Sequence, residues 1–303
     1  MTKANRILIL GATGNLAKLV AGRLTADYPD LSLRLTSHRE EGRDALRKAY
    51  PHAEVVPADW CDEESLRAAF RDVSKVLVVT PDFTTDESVV TPNVIRAAKA
   101  SRELSQIVRL IAIPPGFSSK ALTPRQRASQ CGAAIHTVAK SLLDKSGLPV
   151  TYVNVAAWIM FNLPWFMSAD IKSMRRLIMP SAADAARHWV CEKDVADILA
   201  KILAEPAGHH VGKEYVISGE RRYTFAQVAA LIGEIIGTPV TYIDSDVSLR
   251  SAMGENFGRV MDYFSHETQA YSTVPETRTI EELLGRQRVT LPEYIRETRE
   301  SFA

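Results

Sequence analysis

The chain has 303 residues, 46% apolar and 24% charged, a balance that suits a globular protein of one large domain or of two sharing a cleft. Thirty-seven basic side chains against thirty-six acidic ones leave a net charge of +1, which excludes the strong positive field of a nucleic-acid or anionic-membrane binder. Cys61, Cys131 and Cys191 are widely spaced and form no C-x-x-C pair, which argues against a disulfide framework and against zinc, and fits a reducing cytoplasm.

The N-terminal apolar run, inside MTKANRILILGATG, is too short for a signal-peptide core or a membrane span, so a soluble, cytoplasmic protein is expected. The elements then alternate. RILIL (6–10) reads as a buried strand and NLAKLVAGRLTAD (15–27) as a helix, with Leu16, Leu19, Val20 and Leu24 at helical spacing. LSLRLTS (31–37) is a strand, GRDALRKAY (42–50) a helix stopped before Pro51, and AEVVPAD (53–59) a short strand. DEESLRAAFRD (62–72) is a helix with Asp62 as N-cap, and KVLVVT (75–80) a strand. VVTPNVIRAAKASR (89–102) is a helix with Pro92 near its first turn. QIVRLIAI (106–113), CGAAIHTVAKSLLDKSG (131–147) and VTYVNVAAW (150–158) follow as strand, helix and strand. Such alternation with short joints gives right-handed crossovers and a parallel sheet covered on both faces. The expected class is therefore α/β, a Rossmann-type doubly wound sheet.

Between 159 and 187 the pattern is broken by Pro164, Pro180 and bulky residues. After it come a helix at 191–206, a strand at 213–218, a helix at 224–237 from Thr224 to Gly237, a short strand at 240–246 and a mostly helical tail. The expected domains are a nucleotide-binding part, 1–158 with 186–219 returning to it, and a smaller C-terminal substrate-binding cap, 159–185 with 220–303.

ILILGATGNLAKLV places G-x-x-G-x-x-A between the first strand and the first helix. Gly11 allows the tight turn, Gly14 lets backbone approach a pyrophosphate, and Ala17 permits close helix–strand packing. The helix N-terminus adds free N–H groups and a positive dipole end. Gly11, Thr13, Gly14, Asn15 and Leu16 are thus candidates to hold a dinucleotide pyrophosphate. Cofactor choice is read at the end of the second strand, where an acid selects NAD(H) and a cation accommodates the extra phosphate of NADP(H). LTSHREEGR offers Ser37, His38 and Arg39 first, with Glu40 and Glu41 only afterwards, which favours NADP(H) over NAD(H).

GATGNLAKLV, VVPADWCDEESLRAAF, VLVVTP, KSGLPVTYVNVAAWIMFNLPWF, HWVCEKDVADI and HHVGKEYVISG stand in an order that resembles NmrA-like proteins, atypical short-chain dehydrogenases/reductases. The ADW turn and the closing GRQRVTLPEYIRE segment resemble the ergot-alkaloid-dehydrogenase and isoflavone-reductase branch. The resemblance implies Asp59 and Trp60 beside the adenine, Thr80 and Pro81 along the ribose, and Val155 near the nicotinamide. It also implies a substrate wall of Trp158, Phe161 and Trp165, aromatic side chains that ordinary core packing would equally account for. Pro114 stands where the family often has a serine.

Hydride reduction also needs a proton source for the charge that develops. Short-chain dehydrogenases usually supply Ser, Tyr and Lys, with the tyrosine four residues before the lysine. Here His136 and Lys140 have that spacing and share one helix face. In the related reductases the position eleven residues before the glycine of SGLP carries a functional His or Lys, which lands on His136. An ordinary histidine near pKa ~6.5 donates a proton at neutral pH. The usual Ser and Tyr are missing, with Ser118 and Ser119 the nearest hydroxyls to the fifth strand's end.

No H-E-x-x-H, G-x-S-x-G or P-loop spacing occurs, and His209–His210 sits in a turn, so no metal site is expected. The expectation is an NADPH-dependent reductase of a small, largely apolar carbonyl, enone or imine compound, as a monomer or homodimer. The alternative is a non-catalytic NADP(H)-sensing regulator with a protein partner.

Overall fold

Strand β1 (Arg6–Leu10) carries four consecutive apolar side chains, Ile7 to Leu10, and all four are buried, as a strand covered on both faces requires. The computed structural model describes residues 5–303. From β1 the chain alternates: α1 (Asn15–Asp27), β2 (Ser32–Thr36), α2 (Glu40–Ala49), β3 (Glu54–Val56), α3 (Glu63–Ala69), β4 (Lys75–Val78), α4 (Glu87–Ala100) and β5 (Gln106–Ile111). Helices α5 (Pro124–Ser129) and α6 (Ala133–Asp144) precede β6 (Val150–Val155).

These strands form a seven-stranded sheet in the order Glu214–Ile217, β6, β5, β4, β1, β2, β3. Every pairing from β3 across to β6 is parallel. The chain winds from β1 outward to β3, returns to β4 beside β1, and continues outward to β6. This is the Rossmann-type doubly wound arrangement, and it opens a crevice where β1 and β4 adjoin.

Local chemistry explains the helix starts. The Asp62 side chain accepts from the Glu64 N–H, capping α3 as expected. Helix α4 begins earlier than its spacing suggested, because Asp86 caps it through the Ser88 N–H. Pro92 therefore lies inside the helix rather than near its first turn, and its missing N–H removes one intrahelical bond.

The described chain divides into two compact units. The first runs to Ile111 and takes in Ile135–Asn154 and Val195–Tyr215; the second is Ala112–Ala134, Val155–Asp194 and Val216–Ala303. The division thus differs from the expected one at 112–134, 155–158, 186–194 and 216–219, which go with the second unit. The physical reason lies in the strands. Arg187–Val190 does not return to the large sheet but pairs with Trp158–Ile159 and Arg222–Tyr223 in a three-stranded sheet of its own. The pieces that do return are the helix Glu192–Ala204 and the edge strand Glu214–Ile217.

Within the second unit, Arg176–Met179 and Thr241–Asp244 make a parallel pair. The helix Phe225–Ile236 has Thr224 in a capping box and ends at Gly237, whose φ of 76° suits glycine. Trp158 packs against Trp189, Phe225 and Phe264 with ring centroids 5.4, 5.4 and 6.1 Å away, forming an aromatic core.

Candidate functional site

In the first unit a cavity of about 800 Å³ opens at the carboxyl ends of the parallel strands. The loop after β1 supplies Gly11, Thr13, Gly14, Asn15 and Leu16; the turn after β2 supplies Ser37, His38 and Arg39. Asp59 and Trp60 come from the loop after β3, and Thr80 and Pro81 from the end of β4. Residues expected from separate stretches of sequence are thus brought to one wall. Thr36, Ala58, Cys61, Val79 and Thr85 also line it and were not anticipated.

The glycine loop is anchored. The Gly11 N–H donates to Thr36 Oγ1 (3.3 Å), the Thr36 hydroxyl donates to the Ile9 carbonyl (3.2 Å), and the Ala12 N–H donates to the Thr36 carbonyl (3.1 Å). Gly11 has φ +68°, and a Cβ there would stand 2.8 Å from the Trp60 ring, so the fold itself demands glycine. Gly14 is different. Its φ of −69° and ψ of 151° suit any residue, and an added Cβ would meet only the Gly11 carbonyl, at 3.4 Å. Gly14 is also the N-cap of α1 and makes no side-chain cap, leaving the first helical N–H groups available. The fold itself therefore does not require glycine at this position.

At the end of β2 Ser37 is buried, while His38 and Arg39 are exposed. The first acid that follows is held by other cations. Glu40 is taken by Arg43 and by Arg47 (3.1 Å), and these partners hold its carboxyl below the usual carboxylate range. Among the described residues no ion pair engages the Arg39 guanidinium. Arg39 and Thr13 also line a second cavity of about 680 Å³, to which Lys18 on α1 and Glu41 contribute. Lys18 was missed, although one helical turn beyond Gly14 is where α1 brings a side chain over its own N-terminus.

Behind the wall lies a buried polar network. Arg109 on β5 donates to Thr80 Oγ1 (2.7 Å) and to Glu87 (2.5 Å), with both charged side chains 1% exposed. Glu87 also accepts from the hydroxyls of Thr80 (2.7 Å) and Thr91 (2.5 Å). Thr80 is thereby fixed. The Asn93 amide donates to the Trp60 carbonyl (3.0 Å), tying the loop after β3 to α4. An arginine inside the otherwise apolar run QIVRLIAI was the available signal for this network.

His136 and Lys140 both lie on α6. The His136 ring Nδ1 has no solvent contact and no hydrogen-bond partner. Burial first, and the Arg109 charge second, push its pKa down to about 3. The ring is therefore neutral at physiological pH and is not the imidazolium proton donor that an ordinary histidine would be. Folded His136 binds its proton more weakly than unfolded His136, so its contribution to stability is whole above pH ~6.5 and is lost as pH falls toward 3. An NMR pH titration should show no His136 transition above pH ~4.5, whereas a transition near 6.5 would contradict this placement.

The Lys140 ammonium is bound to Asp144 (3.0 Å), lies 3.6 Å from Glu214 and sits 4.3 Å above the Tyr152 ring. These contacts tie the Lys140 side chain to its own helix, to the edge strand and to β6.

With this geometry in place, comparison with known proteins identifies the lineage. The NmrA-like family model matches residues 3–297. The chain belongs to the NmrA-like family. Among curated relatives, the (4-alkanoyl-5-oxo-2,5-dihydrofuran-3-yl)methyl phosphate reductase of Streptomyces griseus is 26% identical, covering 98% of this chain and 99% of its own. Quinone oxidoreductase 2 of Escherichia coli is 25% identical over 95% of this chain and 97% of its own. Among solved structures, the Citrobacter sp. triphenylmethane reductase complexed with NADP(H) superposes with a TM-score of 0.79 at 20% identity, over 96% of this chain and 99% of that one.

The remaining residues singled out by the NmrA-like resemblance lie in the second unit. Val155, at the end of β6, and Pro114 are buried. Trp158 is 7% exposed in the aromatic core, Phe161 is half-buried, and Trp165 is 61% exposed and stacks on Phe161 at 6.0 Å. Trp158 thus takes part in core packing. Trp165, on a π-helical turn at Leu163–Met167, presents an aromatic surface outward. Among the described residues no three His, Cys, Asp or Glu side chains are grouped to hold a metal, and no helix is long and apolar enough to cross a membrane.

Proposed function

We propose that this NmrA-like protein is an NADPH-dependent reductase of a small, largely apolar carbonyl, enone or imine compound. The observation that carries the reading is the open, unstrained Gly14 at the bare N-terminus of α1, inside a cavity at the β1–β4 crevice. When bound, NADPH supplies a hydride from its nicotinamide C4.

The chain's own residues bind and orient. Gly11, Thr13, Gly14, Asn15 and Leu16 hold the pyrophosphate through backbone N–H groups and the helix dipole. Asp59 and Trp60 border the adenine, and Thr80, locked by Arg109 and Glu87, and Pro81 border the ribose. Arg39 and Lys18 select the 2′-phosphate, with Ser37 and His38 beside them. The NmrA-like resemblance assigns Val155 to the nicotinamide. Pro114, Trp158, Phe161 and Trp165 serve the substrate. His136, uncharged, orients by hydrogen bonding rather than by giving up an imidazolium proton. The Streptomyces and E. coli relatives are named as reductases, and the Citrobacter structure holds NADP(H), which supports the same reading here.

The test is NADPH oxidation across a panel of quinones, enones and imines. Turnover of at least one class is expected. Saturable NADPH binding without oxidation of any would overturn the reductase reading. It would favour instead an NADP(H)-sensing regulator with a protein partner, a reading supported by the neutral His136 and the ion-paired Lys140 on α6.

A further inference from the structure

Arg187 is an anomaly of the second unit. It begins the strand Arg187–Val190 and is 2% exposed, yet among the described residues no carboxylate forms an ion pair with it. Its Nη1 donates to the Tyr263 hydroxyl (3.1 Å), while Nε and Nη2 are buried without any hydrogen-bond partner. The guanidinium lies 4.9 Å from the Trp158 ring centroid and 5.1 Å from that of Tyr271. Trp158 Nε1 is likewise buried and unpartnered.

Aromatic faces attract a guanidinium, but their contribution is small beside the cost of burying a cation whose N–H groups find no acceptor. Tyr263 offers no negative charge, since burial pushes its phenol up to about 12 and keeps it protonated. Because its oxygen accepts from Arg187, its own O–H remains a donor. Two N–H groups of one buried cation, Arg187 Nε and Nη2, thus lack an acceptor among the described residues, although the buried Glu267 carboxylate acts on the same phenol.

We propose that Arg187 and Tyr263, with Trp158 and Tyr271 as walls, form a subsite for an anionic oxygen carried on an aromatic frame. A planar carboxylate or phenolate matches the guanidinium fork, and its ring finds aromatic neighbours. This deepens the reductase reading, on which its role as a substrate subsite rests: the favoured substrate has an apolar body and one anionic oxygen.

The test measures binding of benzoate against benzamide, its neutral counterpart of similar shape, to the full chain without nucleotide. Tryptophan fluorescence and calorimetry provide the readouts. Benzoate should bind saturably and at least roughly tenfold tighter than benzamide, as expected of a charge-assisted fork. Arg187→Met should erase that preference. Tyr263→Phe, which keeps the cation and removes only a hydroxyl, should weaken benzoate severalfold, and it decides the matter if Arg187→Met does not fold. Equal affinity for the two probes, or an undiminished preference in either folded variant, would overturn the proposal and leave Arg187 to hydration alone. Because no nucleotide is present, benzoate preference without NADPH turnover would separate failure of the reductase reading from failure of the subsite.

Discussion

Gly14→Asp is expected to leave the protein as stable as the wild type, or slightly more so, while lowering NADPH affinity by about a thousandfold. The two effects come from one carboxylate. Gly14 occupies the N-cap of α1 in an extended conformation with no side-chain cap, and a Cβ there meets nothing closer than 3.4 Å. Aspartate at that position accepts from a first-turn N–H and complements the helix dipole, worth about 0.3–1 kcal/mol. It would also occupy the donors proposed for the pyrophosphate and face it with a like charge. Two unit charges about 4 Å apart near a protein surface repel by about 4 kcal/mol, a factor of about a thousand in affinity. Thermal unfolding and fluorescence titration read the two halves separately. Unchanged NADPH affinity, or a variant that fails to fold, would show that Gly14 has only a structural role.

Glu87→Ala should have the largest effect on stability. Among the described residues it removes the one carboxylate ion-paired with the buried Arg109 guanidinium, and it strips acceptors from Thr80 and Thr91. Breaking a buried pair from one side costs about 3–5 kcal/mol, because an uncompensated charge stays inside. At about 2–4 °C per kcal/mol, the melting temperature should fall by on the order of 10 °C. The double variant Glu87→Leu with Arg109→Met should recover most of that loss, since apolar replacements of similar volume remove both charges. It should nevertheless bind nucleotide more weakly than the wild type, because Thr80 is no longer fixed. A loss below about 1 kcal/mol in Glu87→Ala, or no recovery in the double variant, would contradict the role given to this pair.

These two positions also mark how far the sequence could be read. The strand–turn–helix with Gly11 and Gly14 was legible because its requirements are local: a positive φ, an apolar strand before, a helix after. The parallel, doubly wound class of the sheet followed from alternation and handedness. Arg109 and Glu87 are 22 residues apart and meet only because β5 lies beside β4, so their pairing had no local trace. His136 was found by spacing, but its protonation depends on burial and on Arg109, which are tertiary facts. Lys140 stands near Glu214 from the far edge strand, which spacing along α6 does not reveal. Helix α5 was not anticipated although T-x-x-Q was present. Thr123 and Gln126 form a capping box there, a signal that could have been used. The small sheet around Arg187–Val190 escaped for the opposite reason: short strands next to a long helix looked like part of the main sheet.

A dinucleotide site selective for the 2′-phosphate is proposed at the β1–β4 crevice. The most direct measurement is a fluorescence titration of the purified protein with NADPH and, separately, with NADH. NADPH should bind more tightly, and Arg39→Ala and Lys18→Ala should each reduce that preference by roughly tenfold, the scale of one exposed charge-assisted contact, while leaving NADH affinity unchanged. Binding of neither nucleotide would mean that the glycine loop serves only the fold, and the account of this cavity would be wrong.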